Sequence, residues 1–376
     1  MASRACLRWV APPTATRRER RRCDQRSRRV ARRAAAATAD AADDAAAARD
    51  DGDDGGRHDF TTVFGRGRVA SVLARALGIS RCVLVGRYNS FPADDIGGPI
   101  YVATHASDLA AVLAKVPASR RRDVVLMQGG LLRRAWLEAR GAADATQVAL
   151  FLSARRDGDV VDGGGRTVAC GPHAAHVVET LARVGVRCAE VDATEFGTAA
   201  TEKLLWASIF WLMCATRGGA GGDAVTVGEI VNDVDASARA EALAVELMRV
   251  VVAAGELDGG ADAAEDGTST VAGSPPAPAL PLLDAEALEY EGTGFGTDAE
   301  FEQGLIVIGL FRYCDDIPDA APSAEMATRE GAFRNGWFLA AAERYALETP
   351  LHERLLRDAG VDVDELRSRA RAEHGL

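Results

Sequence analysis

Thr62-Val63-Phe64-Gly65-Arg66-Gly67-Arg68-Val69-Ala70-Ser71-Val72-Leu73 is the stretch on which the rest of the chain is read. An apolar run enters Gly-x-Gly-x-x-Ala and an apolar-periodic helix pattern follows at once, the context in which this spacing binds a dinucleotide. Each small residue has its own task. Gly65 permits the tight turn, Gly67 lets the backbone approach a pyrophosphate, and Ala70 takes the third glycine's place, where helix meets strand. The pyrophosphate is expected on the helix N-terminus, where free N–H groups and the dipole favour an anion. The bland alternative is a structural turn in a chain with 38 glycines.

Outward from this turn, short apolar runs alternate with helical patterns. Strands are predicted at 60–64, 82–85, 100–103, 124–127, 148–152 and 186–191, and helices at 70–77, 109–116, 131–139 and 174–184. That alternation predicts a doubly wound parallel sheet with crossover helices, a Rossmann domain over 58–192. The glycines at 163–165 and Gly171-Pro172 predict a hairpin between the fifth strand and the last helix. The second strand bears on the cofactor. It ends in Gly86-Arg87, with no carboxylate before Asp94 to accept from an NAD ribose. Arg87 suits a 2′-phosphate that a carboxylate would repel, so NADP is expected. A solvent-facing arginine at a strand end is the alternative.

After Asp192 strand-like runs give way to helical ones: 201–216, then a helix or helix pair over 227–254, then 298–314, 324–347, 351–359 and 364–372. The segment 258–281 is rich in Gly, Ala, Asp, Ser and Pro and is read as a flexible insert. The fold class is thus α/β plus all-α, with a helical domain over 193–376.

Charge divides the chain as sharply as periodicity does. Residues 1–37 hold twelve arginines against Glu19 and Asp24, a net of +10, which leaves −21 on the remainder against −11 for the whole. An Arg- and Ala-rich start followed by the acidic run 40–54 reads as a transit peptide and acidic spacer over 1–57, addressed to the chloroplast or, alternatively, the mitochondrion. A nucleic-acid-binding arm is the competing reading, but a body at −21 repels phosphate backbones, so no nucleic-acid partner is expected. No apolar run reaches the ~20 residues of a bilayer span, so no membrane partner is expected either. Seven irregularly spaced cysteines contain no CxxC, and no metal site is expected. His173-x-x-His176 lacks a third ligand and reads as a helix start after Pro172, and Asp315-Asp316 as a solvated surface pair.

Read against the helical half, the fingerprint acquires companions. Val124-Val125-Leu126-Met127-Gln128-Gly129-Gly130-Leu131, Glu202-Lys203-Leu204-Leu205-Trp206, Arg334-Asn335-Gly336-Trp337-Phe338-Leu339 and Thr349-Pro350-Leu351-His352-Glu353-Arg354-Leu355 follow in order. The combination resembles the ketopantoate reductases, and within them a divergent plant and algal group. The resemblance implies a Rossmann domain followed by a helical domain of the 6-phosphogluconate dehydrogenase C-terminal type, and an NADPH-dependent oxidoreductase that reduces a 2-oxo acid. It implies Lys203 as general acid, Glu330 as the residue holding a substrate hydroxyl, Gln128 beside the cofactor, and Asn335 and Trp211 at the substrate. Such helical domains often close a homodimer.

Departures from the pattern shape the expectation. The family's asparagines four and eight residues after the lysine are Ala207 and Trp211 here, a third in the loop after the fourth strand is Gly129, and a lysine after the third strand falls on His105. Losing three amides removes most hydrogen bonds that recognise a small hydroxylated acid. The expected substrate is therefore a larger or more apolar carbonyl compound rather than ketopantoate, with Trp206, Phe210 and Trp211 on the cleft wall or, more plainly, in the core. The alternative from another class is a catalytically inactive dinucleotide-binding sensor or assembly protein.

Overall fold

The computed structural model describes residues 61–86, 88–92, 97–154, 159–218, 225–255, 298–322 and 331–376. The basic arm, the insert 258–281, Arg87 and Glu330 lie outside them. The first domain is built on β1 (Thr61–Phe64), α1 (Arg68–Leu77), β2 (Cys82–Val85), β3 (Ile100–Val102), α2 (Ala106–Lys115), β4 (Val124–Leu126), α3 (Arg134–Glu138) and β5 (Thr146–Ala149). It continues through β6 (Leu152–Ala154), β7 (Val160–Asp162), β8 (Thr167–Cys170), α4 (Ala174–Ala182) and β9 (Cys188–Glu190). The sheet order is β2-β1-β3-β4-β5-β8-β9.

Five strands are parallel, as the alternation predicts, but the sheet is not parallel throughout. β8 pairs antiparallel with β5, and β9 runs parallel to β8. The predicted strand 148–152 is two pieces, because the chain leaves the sheet after Ala149 to form the β6–β7 hairpin before returning as β8. A short return connection makes antiparallel pairing the available geometry, whereas a parallel one needs a crossover. The predicted helix 131–139 shortens to α3, and 186–191 to β9.

Strand periodicity sorts the central residues into two apolar layers. Phe64, Ile100, Val102, Val124 and Leu126 pack on one face with Leu109, Leu113 and Trp136 of the crossover helices. Val63, Tyr101, Val125 and Val148 face the opposite way, against Leu73 of α1 and Val177 and Leu181 of α4. Both faces are covered, which is why these strands read as continuous apolar runs.

The helical domain comprises α5 (Ala193–Gly218), α6 (Val227–Asn232), α7 (Val234–Ala253), α8 (Asp298–Asp316), α9 (Asn335–Arg344), α10 (Pro350–Asp358) and α11 (Val363–His374). Its starts are set locally: Thr226 and Glu229 form a capping box on α6, and Asp233 and Asp362 accept N–H bonds at the heads of α7 and α11. Of the predicted helix 324–347, residues 324–330 lie outside the described ones, and the rest is a single turn at Gly331–Phe333 followed by α9. From Leu204 to Cys214 α5 is apolar nearly all round, as a helix enclosed by others must be, and α5 packs on α7, α10 and strands β5 and β8. Ala332, Phe333, Ala340 and Ala370 close over the first apolar layer of the sheet, so the two domains share a core.

Gly65 holds the first turn. Its φ is +122°, and a Cβ there would sit 2.5 Å from the Ala103 carbonyl oxygen, whereas one at Gly67, with φ −82°, would meet nothing within 4 Å. Gly65→Ala is therefore expected to cost about 1–3 kcal/mol or more and lower the thermal midpoint by several degrees, while Gly67→Ala leaves it unchanged or slightly raised. Paired melting curves check the contrast; equal midpoints for the two variants would refute it.

Candidate active site

Strand order reverses at β1, which pairs with β2 on one side and β3 on the other. In open α/β sheets ligands bind beyond the carboxyl ends of strands at such a point. A cleft of about 490 Å³ lies there, lined by Phe64, Gly65, Gly67, Ala103 and Thr104 from the sheet and by Lys203, Trp206, Trp211 and Arg334 from the helical domain. The open space over Gly67 at the head of α1 is room that a side chain would occupy and that a phosphate backbone can use. Ala70 lies beneath it, fully buried between helix and strand. The described lining carries Arg66, Arg68, Lys115, Lys203 and Arg334 against one carboxylate, Asp108. A cleft of that sign inside an acidic chain selects anions.

Lys203 is brought to the cleft by the third turn of α5, a helix that packs on β5 and β8. It is 8% exposed, and its ammonium donates to the Tyr313 hydroxyl at 3.2 Å. That hydroxyl in turn donates to the Leu152 carbonyl of β6 at 3.5 Å. The ammonium lies 4.6 Å from the Trp206 ring, 4.7 Å from Tyr313 and 5.0 Å from Phe151, so three aromatic faces supply part of the solvation that water would give. Burial, reinforced by the Arg334 guanidinium and opposed weakly by Cys314, lowers its pKa from 10.5 to about 7. An amine poised there can hold or release a proton near neutrality.

Arg334 precedes α9 and is also buried, its guanidinium 4.0 Å above the Trp211 ring. It reaches into the space that a side chain at Gly129 would need: a Cβ there would stand 2.7 Å from Nη2. Sequence reasoning quoted Arg334 as part of a motif but gave it no role, and it missed Tyr313 entirely. A signal was available for the first, since an arginine in a segment that reads as buried is rare unless it is paired or functional.

The structure brings Gly65, Gly67, Lys203, Trp206, Trp211, Gly129 and His105 to one cleft. It does not bring Asn335, which is 1% exposed and whose Oδ1 lies 2.9 Å from His352 Nε2 inside the helical core. The α9 register turns the residue after Arg334 away from the cleft. Gln128 is also absent from the lining: its amide donates to the Val102 and Thr104 carbonyls and braces the end of β3. Phe210 and Ala207 are core residues. His173 and His176 face Asp123 and Tyr101, and no group of metal-ligating side chains occurs among the described residues. No described helix is long and apolar enough to cross a membrane.

No protein-family model matches the chain, and no curated protein matches it. Among solved structures, the ternary structure of D-mandelate dehydrogenase with NADH and anilino(oxo)acetate aligns over 82% of this chain and 99% of that one, at a TM-score of 0.53 and 12% identity. The complex of D-mandelate dehydrogenase with NADH aligns over 82% and 100%, at 0.51 and 12%. Dimeric ketopantoate reductase from Staphylococcus aureus aligns over 83% and 99%, at 0.44 and 15%. The likeness to D-mandelate dehydrogenase spans both domains and shows a shared fold, a Rossmann domain followed by a helical one.

A buried amine that serves chemistry should burden the fold. Below pH 7 both folded and unfolded chains hold the Lys203 proton, so the cost of the buried charge is fully present. Between about 7 and 10.5 the folded chain sheds the proton while the unfolded chain keeps it, and stability rises with pH. Lys203→Met is expected to be more stable than the parent at pH 6, by ~2–4 kcal/mol, and to lose this rise. Denaturant melts of both proteins at pH 6 and pH 9 test it; a destabilised Met variant at pH 6 contradicts it.

Proposed function

We propose that the chain is an NADPH-dependent oxidoreductase of the ketopantoate-reductase type that reduces a 2-oxo acid or related carbonyl compound bulkier or more apolar than ketopantoate. One observation carries the reading: the desolvated Lys203 amine faces the same cleft as the Gly65–Gly67 turn. Support for the substrate class comes from D-mandelate dehydrogenase, of the same fold, whose structure holds NADH and anilino(oxo)acetate.

A nicotinamide dinucleotide, when bound, supplies the hydride. The backbone of Gly65, Gly67 and the head of α1 would hold its pyrophosphate, and the Arg66 side chain, whose Nε lies 3.3 Å from the position of a Cβ on Gly86, covers the end of β2 where a 2′-phosphate is read. Arg87 is the next residue along. Lys203 donates a hydrogen bond to the carbonyl oxygen of the substrate and gives up its proton as negative charge develops there. Tyr313 fixes the amine by accepting one of its N–H bonds, leaving the others for substrate. Trp206 and Trp211 exclude water and favour an apolar substituent. Ala207, buried in the core, makes no polar contact with a ligand, which is the observation behind the inactive-binder alternative.

Two outcomes follow. NADPH is expected to bind more tightly than NADH, and Arg87→Ala to erase the difference at a cost of about 1.5–3 kcal/mol; titrating both cofactors against parent and variant measures it, and equal parent affinities would discard the NADP assignment. Lys203→Ala is expected to slow turnover ~10²–10⁴-fold with cofactor affinity intact, and the parent's reduction rate to fall as pH rises through about 7. A screen of 2-oxo acids of increasing size for NADPH oxidation tests this. Binding of NADPH with no oxidation by any of them leaves the binding-module reading in its place.

A further inference from the structure

Three elements that are distant in sequence converge beyond the lysine. The loop after β4 brings Gly129, the turn before α9 brings Arg334, and α5 brings Trp211, eight residues or ~12 Å along the helix from Lys203. The guanidinium occupies the volume that any side chain at 129 would fill, with Nη2, Cζ and Nε at 2.7, 3.6 and 3.9 Å from the position of a Cβ. Its Cζ stands over the Trp211 indole, 4.0 Å from the ring centroid. A stacked guanidinium is fixed in plane through its face, and its N–H donors point outward along its edge. Planar donors held in this way match a carboxylate, which takes two parallel hydrogen bonds from one fork. The amide that the family resemblance implies at 129 cannot coexist with this arrangement, so a neutral donor has been exchanged for a charged one.

We propose that Arg334 is the specificity-determining residue of the cleft, its guanidinium taking the carboxylate of a 2-oxo acid while Lys203 holds the adjacent carbonyl oxygen. The proposal rests on the reductase reading above and narrows it. A 2-oxo acid carries a carbonyl oxygen that gains negative charge during reduction and, one carbon away, a permanent anion. Lys203 and Arg334 are close enough that the second lowers the first's proton affinity. A carboxylate between them would offset that repulsion and restore the lysine proton needed for donation. Trp211, under the guanidinium, holds it in place and is a positioning residue.

The test uses the full chain and oxamate, an unreactive 2-oxo acid mimic, titrated by calorimetry with and without NADPH, alongside reduction of matched pairs of a 2-oxo acid and its neutral amide. Arg334→Ala and Arg334→Lys are expected to lose about 10- to 100-fold in oxamate affinity, with NADPH affinity within twofold of the parent. In turnover their KM for the acid rises more than kcat falls, and the preference for acid over amide collapses. Gly129→Ala, which keeps both cations and only displaces the guanidinium, gives a smaller loss in the same direction and serves as the check should the arginine variants fold poorly. Unchanged oxamate affinity and preference in the variants would overturn the proposal, as would a loss of NADPH affinity equal to that of oxamate. A parent that binds oxamate through Arg334 yet reduces no oxo acid leaves the anchor standing and removes the reductase reading. A folded parent that reduces carbonyls but binds no oxamate and shows no acid preference does the reverse.

Discussion

Taking an ammonium out of water costs several kcal/mol unless the protein replaces what water gave. At Lys203 the replacement is partial: one hydrogen bond to Tyr313 and three aromatic faces, with Arg334 pressing in the opposite sense. Everything around the cleft serves to hold that arrangement. The central turns of α5 must be apolar to set the lysine against β5 and β8 while packing on α7 and α10. Phe151 must sit between β5 and the β6–β7 hairpin, where Thr167 bonds both its N–H and its carbonyl, so that its ring meets Tyr313 edge-on. A lysine that served packing alone would be replaced at a gain by a methionine of similar length.

The reversal of the last two strands has the same logic. β8 and β9 run against the first five, and the hairpin that precedes them projects Leu152, Ser153 and Ala154 into the cleft wall. The Leu152 carbonyl accepts from Tyr313 and the Ala154 carbonyl from Arg68, so one excursion from the sheet contacts both the lysine's support and the head of α1. An uninterrupted fifth strand would leave the two halves of the cleft unconnected on this side.

Much of this was legible in advance, for reasons of period and context. The Gly65–Ala70 spacing and the strand–turn–helix text around it match the β1–α1 turn, and Lys203, singled out by the order of motifs, lines the cleft beside that turn. What the text did not reveal was direction. β8 is short and bounded by glycines, and nothing in four residues distinguishes a parallel from an antiparallel partner. Asn335 and Arg334 are neighbours, and only the helix register, set by burial of Trp337 and Phe338, decides which of them faces the cleft. Gly129 read as a lost amide, because its meaning lies in a residue two hundred positions away.

The way the last helices close over the sheet has a consequence for biosynthesis. Trp136 donates to Glu373 across 237 residues, Leu131 N–H bonds the Phe333 carbonyl, and Ala370 completes the apolar layer that begins at Phe64. During vectorial synthesis the nascent Rossmann half therefore presents one apolar layer that α2 and α3 cover only in part, for as long as it takes to translate the helical half. At about 5–20 residues per second that is on the order of ten seconds or more, long enough for off-pathway association.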